Sequence, residues 1–241
     1  MVFPVIFLYF LTGCAGLDIG KLHSLEYFAY KDHPLSAEET FWLKEGLQCK
    51  ITPKIRQVSA GINGGSRREL FYDAVDYIRY HFQYDNWYLD KAFTRTADDI
   101  FNARVMGGCS DYALAEVALF RALGIPARLV LTINMDWMSA YKNNDLLIPK
   151  GHVFIEVYLE KDWHLIDPTY FLLYQGYDPE LKSFPRKEYF VIRALDYWDV
   201  GIKSLSDVIQ IFQRMALKFE PNQYRAPHYL ETDVKAHFLW K

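Results

Sequence analysis

Three residues have the types and spacing for acyl chemistry: Cys109, His152 and Asp167. Cys109 follows Gly107 and Gly108 and opens the stretch "CSDYALAEVALFRALG", whose apolar residues recur at helical spacing. A cysteine in the first turn of a helix faces backbone N–H groups that lack partners, at the end where the helix dipole is positive. A thiolate is stabilised there, so the thiol pKa falls and more of it is reactive near neutral pH. The two glycines leave space for a substrate backbone, and the spare N–H groups could hold a developing oxyanion. The same residue could also be a small buried side chain, a common fate of free cysteine. A thiolate nucleophile needs a base, and the base needs an orienting group. His152 opens the apparent strand "HVFIEVYL", and Asp167 closes the apparent strand "WHLID", fifteen residues later. Taken singly, a strand-end His is usually an ordinary surface residue and an Asp before Pro a turn residue. Their coincidence with Cys109 favours a nucleophile, a base and an orienter.

The hairpin register decides whether His152 and Asp167 can meet. The polar pair Lys161–Asp162 looks like a natural two-residue turn. It would set Asp167 opposite Glu156, roughly 13 Å along the strand from His152. Hydrogen bonding requires about 3 Å. The chemistry therefore predicts an earlier turn, around Leu159–Glu160, or a bulge that absorbs the difference.

The elements that must position these residues follow from pattern. Ser36 with Glu39 caps a helix in "HPLSAEETFWLKEGL". Residues 50–68 mix Pro, Gly and charge and read as a connection. A helix covers about 69–82, "FQYDNWYLD" is a loop or short strand, and Thr96 with Asp99 caps "ADDIFNARV". Gly124 ends the Cys109 helix, Pro126 forbids its continuation, and "ARLVLTI" is a strand. "MDWMSAYKNNDLLIPKG" is a polar excursion between strands, and later helices are expected near 186–196 and 204–218. Helices first, then strands, then helices argue for an α+β fold.

The chain has 241 residues, 51% of them hydrophobic and 17% aromatic, which is ample for a core. Its formal net charge of −3 gives no basic footprint, so nucleic acid is not an expected partner. Cys14, Cys49 and Cys109 are odd in number and far apart, and neither C-x-x-C nor H-E-x-x-H occurs. Neither a disulfide framework nor a metal site is expected. The apolar run Val2–Leu11 is too short to span a bilayer and fits the core of an export signal. It ends in "LTGC", Leu11–Cys14, which resembles the lipobox of bacterial lipoproteins. That resemblance implies residues 1–14 as signal with a lipid on Cys14, residues 15–23 as tether, 24–241 as one domain, and a membrane as partner.

"GGCSDYALAEVALFRALGIPARLV" followed by "GHVFIEVYLEKDWHLIDPT" resembles the transglutaminase-like superfamily, relatives of the papain-like cysteine proteases. Cys109, Gly124–Arg128, His152, Glu156, Tyr158, Trp163 and Asp167–Thr169 carry the likeness, and the core motifs fall within 95–170. The resemblance implies a nucleophile helix packed on an antiparallel sheet, with extra helices at both ends. It implies Cys109 as nucleophile, His152 as general base and acid, Asp167 as its orienter, and attack on a peptide or protein amide through a thioester. Water or an amine would then take the acyl group. In some members an upstream aromatic helps bind the oxyanion. Trp87 is the candidate here, a loop or core tryptophan being the ordinary reading. No calcium loop is present, since "KNND" at 142–145 is a poor substitute, so no cofactor is expected. Asp111 and Arg128 suggest a structural pair. A hydrolase leads, with an amine-transferring crosslinker and a non-catalytic peptide-binding or scaffold domain as alternatives.

Overall fold

The computed structural model describes residues 32–144, 148–220, 227, 229 and 230–233. The apolar N-terminal run, the Leu11–Cys14 lipobox and the tether lie outside the described residues. Helices α1 (Ala37–Phe41), α2 (Pro53–Ser59), α3 (Arg67–His81) and α4 (Ala97–Ala103) precede the long helix α5 (Cys109–Ala122). The first four begin at side chains suited to the task. Ser36 and Thr96 form capping boxes with Glu39 and Asp99, while Thr52 and Ser66 accept the Ile55 and Glu69 N–H groups. Helix α2 corrects the expected bare connection over 50–68. Pro53 occupies its first turn, where the missing N–H costs nothing, and Ile55 and Val58 are buried. Between α3 and α5, β1 (Gln83–Tyr84) pairs in parallel with β2 (Val105–Met106), and a 3-10 turn covers Asn86–Lys91.

Strand β3 (Ala127–Asn134) follows α5 through Gly124, whose φ of +76° closes the helix in the left-handed region. The expected polar excursion instead begins with helix α6 (Met135–Lys142). Asn134 caps it by accepting the Trp137 N–H at 3.1 Å, and Trp137 and Met138 are buried. Then come β4 (Gly151–Leu159), β5 (Asp162–Asp167), β6 (Leu172–Gln175), β7 (Ser183–Phe184) and β8 (Glu188–Ala194), helix α7 (Leu205–Lys218) and strand β9 (Leu230–Asp233). The helix expected near 186–196 is therefore a strand. Its run Tyr189–Ile192 is aromatic and β-branched, and antiparallel pairing with β3 satisfies its backbone. Helix α7 lies where expected, capped by Ser204.

Among the described residues the main sheet has the order β7-β8-β3-β4-β5-β6-β9, with every neighbouring pair antiparallel. Leu114, Val117 and Phe120 of α5 share one core with Leu129, Leu131 and Ile133 of β3 and Val153, Ile155 and Val157 of β4. Each such side chain contributes about 1.5–3 kcal/mol by leaving water. The other face carries a smaller cluster of Val130, Phe154, Leu165, Tyr174 and Phe184. The period-two alternation along β4 therefore separates two apolar layers rather than core from water. This α+β arrangement, with the Cys109 helix packed on an antiparallel sheet and helices on either side of it in sequence, is the one the sequence implies.

Candidate active site

Cys109 is the first residue of α5 and is partly accessible. Gly108, the N-cap residue, makes no side-chain cap hydrogen bond; the Asp111 N–H turns back to the Gly108 carbonyl at 3.1 Å, and the Ser110 N–H faces the Cys109 sulfur. Gly107 is held tightly. A Cβ there would lie 2.4 Å from the Tyr88 carbonyl oxygen, and its N–H donates to Asp111 at 2.9 Å. Asp111 also accepts from Arg95 at 2.6 Å, and Arg95 donates to the Val105 carbonyl at 2.9 Å. Burial pushes the Asp111 carboxyl up, against the Gly107 N–H and Arg95, which pull it down. Asp111 thus locks the glycine entrance to Arg95, not to Arg128 as the sequence suggested.

His152 is the second residue of β4, where it meets the thiol. Burial alone would raise the Cys109 pKa. The hydrogen bond and charge of His152 outweigh it, helped by the Val153 and Ser110 N–H groups, and hold the thiol below its ordinary range. On the other side of the ring, His152 Nε2 lies 3.0 Å from Asp167 Oδ1. A carboxylate can only accept there, so Nε2 carries the hydrogen and Nδ1 is left for the thiol proton. Asp167 is fully buried. The same Oδ1 accepts the Thr169 and Tyr170 N–H groups at 3.1 and 3.3 Å. Asp167 is thus both the turn residue its Asp-Pro sequence suggests and the partner of the imidazole.

The hairpin differs from both registers considered from sequence. Ile155 pairs with Ile166 and Leu159 with Asp162, so the turn is Glu160–Lys161 and the ladder carries no bulge. Glu160 takes the left-handed region at φ 59° and is anchored by Arg68 at 2.6 Å. Asp167 then lies level with Phe154, two residues beyond His152 on the same face. That diagonal spacing is within reach of side chains, so direct opposition is unnecessary.

Trp87 is 76% exposed, on the turn that packs against the glycines. It is Tyr88 that crowds Gly107, and Leu89 that comes within 3.3 Å of where a Gly108 Cβ would be. Two residues not singled out from sequence border the site. Arg186 is ion-paired with Asp167 Oδ2, and Glu188, buried, accepts from the Thr132 hydroxyl at 2.9 Å. Burial pushes the Glu188 carboxyl up, while Thr132, His152, Asn134 and Arg186 pull it down. Neither has a local sequence signal, because both arrive on a segment that reads as helix.

The remaining motif residues gather at the other end of β4. Glu156, fully buried, is ion-paired with Arg128 and with Arg193, whose Nε lies 2.8 and 2.9 Å from the carboxylate oxygens. Trp163 stacks on the Arg128 guanidinium, 4.0 Å from ring centre to Cζ. A cavity of about 580 Å³ opens beside them. Its lining begins level with Glu156, roughly 13 Å along the strand from His152, and includes neither His152 nor Cys109. The motif thus comprises a chemical end and a clamping end.

Residues 56–168 match the model of the transglutaminase-like superfamily. Cys109, His152 and Asp167 all lie within the matched stretch. No curated protein matches the chain. Among solved structures, a candidate cysteine protease from Cytophaga hutchinsonii aligns with a TM-score of 0.52 at 20% identity, covering 73% of this chain and 55% of its own. The periplasmic domain of TgpA from Pseudomonas aeruginosa aligns with a TM-score of 0.40 at 20% identity, over 56% of this chain and 48% of that one. The chain therefore spans about half the length of these structures.

Proposed function

We propose that the protein is a thiol enzyme that cleaves or transfers amide acyl groups through a thioester on Cys109. One observation carries this reading: the Cys109 thiol meets His152, whose other ring nitrogen lies 3.0 Å from the buried Asp167. In this mechanism Nδ1 of His152 takes the thiol proton, and the sulfur attacks an amide carbonyl. The N–H groups at the start of α5 receive the oxyanion. The tetrahedral adduct collapses, the C–N bond breaks, and His152 returns the proton to the departing amine. The acyl thioester remains on Cys109. His152 then deprotonates water or an incoming amine, which attacks the thioester and releases the thiolate. Asp167 keeps the imidazole in the productive tautomer and stabilises its protonated form. The likeness to a candidate cysteine protease supports hydrolysis as the leading reaction. Amine transfer differs only in the second half-reaction.

Iodoacetamide labelling of Cys109 in wild type and His152→Ala tests this reading. Rapid labelling well below the free-thiol pKa, lost in the variant, is expected. A thiol no more reactive than free cysteine would point to a non-catalytic binding or scaffold domain. The lipobox reading adds that the enzyme is exported and anchored in the bacterial envelope through lipid on Cys14, within reach of peptide substrates. Cys14→Ser should release it from membranes and leave Cys109 labelling intact. Unchanged fractionation rejects the anchor.

A further inference from the structure

Asp167 carries more interactions than an orienter needs. Its Oδ1 takes His152 and two backbone N–H groups, while Oδ2 faces the guanidinium of Arg186. A fully buried carboxylate is costly as an anion unless a cation is at hand. A neutral imidazole cannot supply that charge, whereas a guanidinium always carries it.

The segment bearing Arg186 is built to deliver it. Pro185 is buried and starts the turn. Arg186 and Lys187 both adopt the left-handed region, at φ 60° and 61°. Two consecutive side-chain-bearing residues there are sterically costly and persist only where surrounding contacts hold them. Those contacts are present. Lys187 pairs with Asp136 at 2.9 Å, and the Arg186 carbonyl accepts from Asn134 at 3.4 Å. The guanidinium lies 4.6 Å from the Tyr170 ring centre and 5.8 Å from that of Phe154, the residue level with Asp167.

We propose that Arg186 is a positioning residue of the active site, which holds Asp167 ionised and aimed at His152 and so sustains the thiolate of Cys109 without touching it. This inference rests on the nucleophile reading above and adds a member to it. The charged and titratable groups facing one another here are Cys109 on α5, His152 on β4, Asp167 on β5, Arg186 before β8 and Glu188 on β8, together with the Tyr170 phenol beside His152 and Arg186 and the Tyr197 phenol beside the start of α5. Without Arg186 the buried Asp167 loses its cation, ionises less readily and supports the protonated imidazole less well, so the thiolate paired with that imidazole forms only at higher pH.

The test is the pH dependence of iodoacetamide labelling of Cys109 in the full chain, with folding checked by thermal unfolding. Arg186→Met should slow labelling at pH 6 by roughly three- to tenfold and move the profile upward by about half a pH unit or more. Arg186→Lys should restore most of the rate, because it keeps the charge although not the planar fork. In an Asp167→Asn background, Arg186→Met should change the rate by less than about twofold, since the effect passes through Asp167. If Arg186→Met does not fold, Arg186→Gln makes the same comparison. An equal loss in the Asp167→Asn background, no loss in any charge-removing variant, or Arg186→Lys behaving like Arg186→Met overturns the inference while leaving the nucleophile reading intact. A wild-type Cys109 with ordinary reactivity overturns both.

Discussion

His152 and Asp167 are joined diagonally, Nε2 to Oδ1 at 3.0 Å, across a hairpin that pairs Ile155 with Ile166 and so sets Asp167 level with Phe154. The two side chains share a face of the sheet but not a rung. Asp167 therefore reaches along the strand to the imidazole. The Thr169 and Tyr170 N–H groups, bound to the same oxygen, keep it from turning away.

Asp167→Asn tests what that link contributes. The amide keeps the shape, but it can present an N–H where the ring needs an acceptor, and it cannot stabilise a protonated imidazole. Labelling of Cys109 at pH 6 should fall by roughly tenfold or more, with the melting temperature changed far less than the rate. A rate within twofold of wild type removes Asp167 from the mechanism.

The two described cysteines should separate sharply with pH. Burial pushes the Cys49 thiol up to about 12, and its side chain is fully buried. The Cys109 thiol is held below its ordinary range by His152 against burial. Peptide mapping after alkylation at neutral pH should find Cys109 modified and Cys49 untouched. Comparable modification of both would mean that the cluster around Cys109 does not sustain a thiolate.

Asp111→Ala should unfold the glycine entrance. It removes the acceptor of both Arg95 and the Gly107 N–H and strands a guanidinium that is 7% exposed. Breaking one side of a buried pair costs about 3–5 kcal/mol. Urea unfolding should show a loss of that order, and Cys109 labelling should fall with it because Gly107 and Gly108 lose their anchor. A loss below about 1 kcal/mol would show that Arg95 finds other partners.

Glu116 lies two turns below Cys109 on α5, fully buried, with neither carboxylate oxygen hydrogen-bonded among the described residues. Burial raises its pKa well above the ordinary 4.5. A raised folded-state pKa gives stability that is fully present below the unfolded value and is lost as pH rises toward the folded one. Glu116→Met should therefore gain stability over wild type at pH 8, by about 1–3 kcal/mol, and less at pH 4.5. Urea midpoints at the two pH values check it. A variant equally or less stable at pH 8 would reveal a partner for the carboxyl.

The sequence by itself determined the local elements and the residues able to do chemistry. Helical periodicity, the caps at Ser36 and Thr96, the left-handed Gly124 and the strand content of 127–134 and 151–159 are written within a few neighbouring residues, so short-range physics suffices to read them. The placement of Cys109 in a first turn belongs to the same class. Long-range pairing decided the rest. Residues 188–194 became a strand because β3 offered an edge, which outweighed their helical reading. The two registers considered and the observed one differ by steps of two and bury the same faces, so the pairing of Ile155 with Ile166 was decided by the assembled hairpin, with Glu160 in the left-handed region and held by Arg68, and not by the turn pair Lys161–Asp162. Asp111 chose Arg95 and Arg128 chose Glu156, because charge partners are fixed by which ends of helix and strand meet. Arg186 came to Asp167 from 19 positions further along the chain through a strained turn, and nothing in its neighbourhood of the chain announces that. Local sequence encodes backbone preference, whereas the electrostatic partners of a buried carboxylate exist only once the sheet has closed around it.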